Sequence, residues 1–270
     1  MIRYDGVTKT YPGGSAAVEE FSLTIPSHST TVLVGSSGSG KTTLLRMVNR
    51  MVEPSGGRVL IDDEDVRRRD PVALRRSIGY VLQHGGLLPH RTVAENVATV
   101  PMLTGRKRRD AVRDAGPLLE RVGLDPELGG RYPGQLSGGQ QQRVGVARAL
   151  AGDPNILLMD EPFGAVDPIV RRELQDELIR LQRELRKTIL FITHDVDEAF
   201  RLGEQVVVLR DRARIAQQGA PAEILARPAD AFVREFVGAD RSERKLRAEH
   251  VDGRDIAVDG DGRPVGVLEP

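Results

Sequence analysis

The run GSSGSGKT, Gly35 to Thr42, fits the spacing G-x-x-x-x-G-K-[ST]. In that pattern backbone N–H groups close around phosphate oxygens at the N-terminus of the following helix. Gly35, Ser36, Ser37, Gly38, Ser39 and Gly40 would form the cradle. Lys41 would reach the β- and γ-phosphates, and the Thr42 hydroxyl would sit on Mg²⁺, with Thr43 next in line. A flexible glycine turn is the plain alternative. The chain's own residue frequencies produce the full pattern by chance in roughly 0.5% of such sequences, so phosphate binding is the expectation.

A phosphate-bound metal needs a carboxylate, and ILLMDEP supplies one. Four apolar residues make a buried strand, Asp160 ends it, and Glu161 follows. Asp160 is the candidate to hold Mg²⁺, and Glu161 the candidate to orient or deprotonate an attacking water. Alone, such acids are more often helix caps; after a phosphate loop the balance reverses. Four further residues suit a γ-phosphate site. Gln83, at the end of SIGYVLQ, could touch Mg²⁺ and the water through its amide. His194, at the end of TILFITH, could hydrogen-bond the γ-phosphate. Asp167 lies just after Glu161, and Tyr11, upstream of the loop, could stack on a base. Each is weak singly.

LSGGQ, Leu136 to Gln140, is a second phosphate-binding geometry. Ser137, Gly138, Gly139 and Gln140 bring small residues and free N–H groups to the positive end of a helix. An ordinary serine cap is its plain reading. If both loops bind phosphate, two chains could grip one nucleotide.

The elements that must position these residues follow from periodicity. IRYDGVTKTY and VEEFSLTIP read as strands around the turn PGGS, and TTVLVG as a buried strand. KTTLLRMVNRMV suits a helix through Met51 and Val52. GGRVLIDDEDV and SIGYVLQ continue the strands. From Leu87 to Ala151, VAENVATVPML, RKRRDAVRDAGPLLERVG and SGGQQQRVGVARALAG read as helices. Strands return at NILLMDEP and TILFITHD, separated by a helix with Val170, Leu174, Leu178, Leu181 and Leu185 on one stripe. VVVLRDRARIAQQG reads as a hairpin and APAEILARPADAFVREFVG as two short helices. After Arg241, two apolar runs flank DGDG as a further hairpin.

Composition bounds the function. Lys and Arg total 39, Asp and Glu total 39, and the formal net charge is zero, so the whole-chain basic excess of a dedicated DNA binder is missing. There is no cysteine, which removes disulfides, thiolate nucleophiles and cysteine zinc sites. No apolar run approaches the ~18 residues of a spanning helix, and MIRYDGVTKTY lacks the apolar stretch of a signal peptide. Thirty-four of the basic residues are Arg, a bias expected from codon usage rather than function.

In this order, GSSGSGKTT, Gln83, LSGGQQQR, ILLMDEP, Asp167 and His194 resemble the ATP-binding subunit of an ATP-binding cassette (ABC) transporter, over residues 1–238. The resemblance implies an α/β fold: a P-loop NTPase, RecA-like core with an antiparallel β-subdomain and an inserted α-helical subdomain. The cassette would span residues 1–240, its helical part about 87–151, and a short tail 241–270. It also implies ATP and Mg²⁺ as cofactors and a head-to-tail homodimer, with Ser137–Gln140 of one chain facing the P-loop of the other. Tyr11 would be the adenine platform, Gln83 the link to transmembrane permease subunits, Glu161 the catalytic base and His194 the switch histidine. Thr42, Gln83 and Asp160 would serve the metal. An extracytoplasmic solute-binding protein would be an indirect partner, nucleic acid no partner, and the subunit peripheral at the cytoplasmic face of the membrane.

VNRMVEPSGG, GLLPHRTVAENVA, MDEPFGAVDPIVRRELQDEL and THDVDEAFRLG resemble importers of quaternary amines such as glycine betaine, choline, carnitine or proline betaine. The sequence departs from the family at Ala-Val-Asp before and at Asp167, where Ala-Leu-Asp is usual. The tail resembles one hairpin of a cystathionine-β-synthase-type module, and one hairpin cannot bury a core. Import of another small solute, such as an amino acid, and a soluble ABC ATPase acting on nucleic acid or ribosomes remain the alternatives, together with a regulatory module without hydrolysis. The basic segments VRRRDPVALRR and GRKRRDAVR read as solvated faces, with lipid contact a lesser alternative.

Overall fold

The computed structural model describes residues 1–14, 16–83, 85–164, 166–241, 244, 246–251 and 254–268. In chain order the elements are β1 (Ile2–Thr10), β2 (Ala16–Ile25), β3 (Thr30–Gly35), α1 (Lys41–Val48), β4 (Gly56–Ile61), β5 (Glu64–Asp65), α2 (Pro71–Ser77) and β6 (Ile78–Val81). Then come α3 (Val93–Val97), α4 (Thr99–Leu103), α5 (Arg108–Arg113), α6 (Ala115–Arg121) and α7 (Gly138–Leu150). Strand character returns with β7 (Ile156–Asp160), α8 (Pro168–Leu185), β8 (Thr188–Thr193), α9 (Val196–Leu202), β9 (Gln205–Leu209) and β10 (Ile215–Gly219). The last elements are α10 (Pro221–Ala226), α11 (Ala231–Phe236), β11 (Arg247–Val251), β12 (Arg254–Val258) and β13 (Pro264–Val267).

The main sheet has the order β10-β9-β3-β8-β7-β6, parallel except for the β9–β10 hairpin. Every residue of β3, β7 and β8 is buried, as expected for parallel strands covered on both faces. The two-residue alternation of a strand sorts them between two cores. Val32, Val34, Leu157, Met159, Ile189 and Phe191 join one core, which includes Val93, Leu119, Val144 and Leu178 of the helices. Leu33, Ile156, Leu158, Leu190 and Ile192 join the other, which includes Leu44, Leu45 and Met47 of α1.

That second core also takes in the antiparallel sheet β2-β1-β4-β5 through Ile2, Tyr4, Phe21, Ile25 and Val59. Tyr4 packs edge-on against Phe21 with ring centroids 5.2 Å apart, and its hydroxyl donates to the Leu44 carbonyl at 3.0 Å. The phosphate-loop helix is thereby fixed from both sides. The α/β P-loop fold expected from the sequence, with an antiparallel sheet and a helical stretch between β6 and β7, is the one observed.

Two local expectations are corrected. Helix α1 stops at Val48 instead of continuing through Met51 and Val52. Arg50 turns left-handed at φ 55, and the N–H groups of Met51 and Val52 both donate to the Arg46 carbonyl, closing the helix. Met51 is then exposed. The tail is more than one hairpin: β11, β12 and β13 form a three-stranded antiparallel sheet in which Ala257, Val258 and Asp259 are buried. The Asp259 carboxylate accepts the N–H groups of Asp261 and Arg263 and so shapes the β12–β13 turn. The expected tail hairpin extends to residues 269 and 270, and the Ala-Val-Asp departure begins at residue 165; these three positions lie outside the described residues.

The basic segments are engaged locally. Arg67 pairs with Asp65, Arg69 with Glu64, Arg106 with Asp114 and Arg108 with Glu95. Among the described residues, no helix is long and apolar enough to cross a membrane.

Candidate functional site

Because β3, β6, β7 and β8 run parallel, the loops that follow them leave one edge of the sheet. The register pairs Val34 with Thr193 and Asp160 with Ile192, which brings the ends of β3, β8 and β7 level. Ligands of open α/β sheets bind at such carboxyl ends.

The glycines of the phosphate loop have physical reasons. Gly38 and Gly40 adopt left-handed φ of 81° and 95°. A Cβ on Gly40 would stand 2.6 Å from the Ala17 carbonyl oxygen, so β2 approaches the loop too closely for any side chain there. Helix α1 starts at Lys41, whose ammonium is buried and donates to the Gly35 and Ser36 carbonyls at 2.8 Å each. Desolvation pulls the Lys41 pKa below its ordinary value, opposed by the nearby carboxylates of Glu161 and Asp160. The Ala213 N–H donates to the Ser39 carbonyl at 2.8 Å, clamping the loop from the β9–β10 hairpin.

Tyr11 stands beside this loop. Its hydroxyl lies 3.4 Å from Thr43 Oγ1, and Lys9 Nζ lies 5.1 Å from the ring centroid. The ring is 40% exposed, which leaves surface open to stack on a planar base.

Asp160 is the junction of the site. Thr42 Oγ1 donates to Asp160 Oδ1 at 3.2 Å, Tyr80 Oη donates to Oδ2 at 3.0 Å, and Arg46 Nη2 lies 3.6 Å from Oδ2. Burial pushes the Tyr80 hydroxyl up to about 12, so it stays a donor at neutral pH. Thr42 and Asp160 together offer the hard oxygen donors that Mg²⁺ takes, which fits the proposed metal.

Glu161 sits at a left-handed φ of 46°, a strained geometry for a non-glycine residue at a strand end. Its N–H donates to the Ile192 carbonyl at 3.1 Å, holding the turn onto β8. Its Oε2 lies 2.9 Å from His194 Nδ1. The expected base and switch histidine are therefore neighbours. Each neutral imidazole has one N–H, so a ring donating from Nδ1 to Glu161 presents Nε2 as an acceptor. Donation to both Glu161 and a phosphate requires the imidazolium.

The remaining candidates flank this cluster. A Cβ built on Gly164 would stand 3.3 Å from the Gln83 amide nitrogen, so exposed Gln83 lies against the loop leaving Glu161. Asp167 caps α8 by accepting the Ile169 N–H at 2.9 Å. Ser137 caps α7 in a reciprocal box: its hydroxyl accepts the Gln140 N–H at 3.2 Å, and Gln140 Oε1 accepts the Ser137 N–H at 2.9 Å. Ser137 and Gly138 are exposed, and a Cβ on Gly139 would collide with Val170 Cγ1 at 2.4 Å. Within one chain this segment is thus a helix cap with an open outer surface.

Sequence reasoning missed Tyr80 and Arg46. Alternation in SIGYV could have placed Tyr80 on the α1 face, and Arg46 lies one helical turn beyond Thr42. Their meeting at Asp160 depends on β6 pairing with β7, which no local pattern encodes.

A family model described as "ABC transporter" matches residues 18–164. The carnitine transport ATP-binding protein OpuCA of Listeria monocytogenes is 49% identical over 241 residues, covering 89% of this chain and 60% of that protein. The glycine betaine uptake system ATP-binding protein YehX of Escherichia coli is 49% identical over 247 residues, covering 92% and 79% respectively. The chain therefore spans about three fifths of the OpuCA length. A solved dimeric, post-hydrolysis state of the ATP-binding cassette MJ0796, bound to ADP and Pi, superposes with a TM-score of 0.74 at 33% identity, covering 82% of this chain and 99% of that one.

Proposed function

This chain belongs to the ABC transporter family, and from that premise we propose that it is the ATP-hydrolysing subunit of an importer of quaternary-amine osmoprotectants such as glycine betaine, choline or carnitine. The observation that carries the catalytic part is the convergence of Lys41, Thr42, Asp160, Glu161 and His194 at one edge of the parallel sheet. The solute class rests on the relatives' names, because none of these residues would touch the solute.

ATP would lie along the phosphate loop with its base on Tyr11. The N–H groups of Ser36–Gly40 and the start of α1 would receive the β-phosphate. Lys41 would exchange its bonds to the Gly35 and Ser36 carbonyls for phosphate oxygens, which relieves a buried ammonium of weak neutral partners. Thr42 and Asp160 would hold Mg²⁺, with Gln83 as a further ligand from the adjoining loop; the ion would neutralise charge on the phosphates.

Glu161 would align and deprotonate the attacking water, and His194, as the imidazolium, would donate to Glu161 from Nδ1 and to the γ-phosphate from Nε2. The site is open where Ser137, Gly138 and Gln140 of a second subunit would complete it, with Asp167 beside that contact. Two such sites in a symmetric homodimer would close on ATP and reopen after hydrolysis. Permease subunits would receive that motion through the Gln83 loop at the cytoplasmic face of the membrane, with a solute-binding protein on the far side.

The test is Glu161→Gln. It keeps the carbonyl contact to His194 but removes the base, so ATP binding should persist while turnover falls about a hundredfold or more. Hydrolysis equal to that of the unaltered chain would remove Glu161 from the catalytic role. Reconstitution with the permease, scored by ATPase stimulation with glycine betaine, choline or carnitine, tests the solute class.

A further inference from the structure

Glu198 has no part in the chemistry above, yet it is a buried carboxylate four residues after His194, only 5% exposed. Burial raises its pKa, opposed by hydrogen bonds from Thr193 and Gln175. A carboxylate is retained in such a place when its oxygens hold something that apolar packing cannot.

Its partners show what is held. Gln175 Nε2, on α8, donates to Glu198 Oε1 at 3.1 Å. Thr193, the last residue of β8, accepts the Asp195 N–H on its Oγ1 at 3.0 Å, and its side chain counters the upward shift of the Glu198 pKa. Asp195 Oδ1 accepts the N–H groups of Asp197 and Glu198 at 2.9 and 3.1 Å. Its other oxygen lies 3.7 Å from Arg171 Nη1, and Arg171 Nη2 donates to the Val166 carbonyl at 3.2 Å. Gln175 and Glu198 are both buried, as is Thr193.

Both backbone neighbours of His194 are thus tied to α8, Thr193 through Glu198 and Gln175, and Asp195 through Arg171. Asp167 caps α8, and Arg171 in its first turn holds the end of the loop from Glu161 through the Val166 carbonyl. We propose that Glu198 is a positioning residue that locks the His194 segment to α8, setting the His194–Glu161 contact required for hydrolysis. It touches neither nucleotide nor water and acts through the backbone on either side of the histidine. This inference rests on the hydrolytic reading of the site.

The experiment compares Glu198→Ala, Glu198→Gln and Gln175→Ala in the whole chain, each also in a His194→Ala background, by single-turnover ATP hydrolysis, ATP affinity and thermal unfolding. Glu198→Ala should lower the hydrolysis rate about tenfold with ATP affinity changed less than about twofold. Glu198→Gln should restore the rate to within about threefold, because its carbonyl still accepts from Gln175 and its amide can donate to Thr193 Oγ1. Gln175→Ala should reproduce part of the loss, and it carries the test if Glu198→Ala does not fold. Neither Glu198→Ala nor Gln175→Ala should lower the rate further once His194 is absent. An unaltered rate in both variants, an equal loss in the His194→Ala background, or a parallel fall in ATP affinity overturns the proposal. A Glu161→Gln control that hydrolyses like the unaltered chain removes Glu161 from the catalytic role instead, and an unaltered chain that does not hydrolyse ATP overturns the hydrolytic reading, whatever Glu198 does.

Discussion

Tyr80 Oη donates to Asp160 Oδ2 at 3.0 Å, on the oxygen opposite the one that receives Thr42. Strand β6 thereby fixes the orientation of the carboxylate that β7 would present to the proposed metal. Tyr80→Phe keeps the ring and removes only that donor. A hydrogen bond to a charged group contributes roughly 1.5–3 kcal/mol, so the Mg²⁺ concentration for half-maximal hydrolysis should rise about tenfold. A titration of activity with Mg²⁺ at saturating ATP measures this, and coincident curves would show that Tyr80 does not orient Asp160.

The same residue sets an alkaline limit on stability. Its folded pKa, pushed up to about 12, exceeds the ordinary tyrosine value of about 10, so the unfolded chain releases the proton first. The contribution is fully present below pH 10 and is lost as pH rises towards 12. Buried Tyr4, shifted upwards by desolvation, adds to the same loss. Urea midpoints taken between about pH 9 and about pH 11 should fall less steeply for Tyr80→Phe than for the unaltered chain.

Gly40→Ala tests the cradle. The new Cβ would meet the Ala17 carbonyl at 2.6 Å, at a φ of 95° that alanine disfavours. Chemical denaturation should show a loss of about 1–3 kcal/mol. ATP binding should weaken even in the folded fraction, because the loop must shift to relieve the contact. Full affinity in a folded variant would mean that the loop adapts.

Ser137 has one observed role, as a cap, and one proposed role, in the dimer. As a cap it is replaceable by Asn, which ranks with Ser at that position, whereas Ser137→Ala should cost about 1 kcal/mol. In the proposed dimer its small hydroxyl faces a partner's phosphates, where Asn is bulkier. Ser137→Asn should therefore unfold like the unaltered chain yet lose ATP-driven dimerisation and about tenfold in hydrolysis. Dimerisation followed by light scattering with ATP decides the matter; normal assembly would confine Ser137 to capping.

Much of the site was legible because its parts are contiguous. The loop Gly35–Thr42, the strand ILLMD with Asp160 at its end, and the Ser137 cap each follow from residues a few positions apart. The short apolar runs TTVLVG and TILFIT likewise foretold strands, TTVLVG a buried one, and both are buried throughout. The helix stop at Val48 was not legible, since it turns on a left-handed Arg50 where glycine would be the usual signal. Nor was β11, whose five residues are all exposed and carry no alternation.

By itself the sequence determined which residues are candidates to hold phosphate, metal and water, because backbone geometry and residue chemistry act over a few positions. The tertiary structure alone decided how those residues meet. Tyr80 reaches Asp160 because β6 lies beside β7, and His194 reaches Glu161 because β7 lies beside β8. Glu198 becomes a buried link only once α8 covers α9 and the end of β8. Strand order and helix packing are settled by burial summed over the whole chain, and no local run of residues contains that sum.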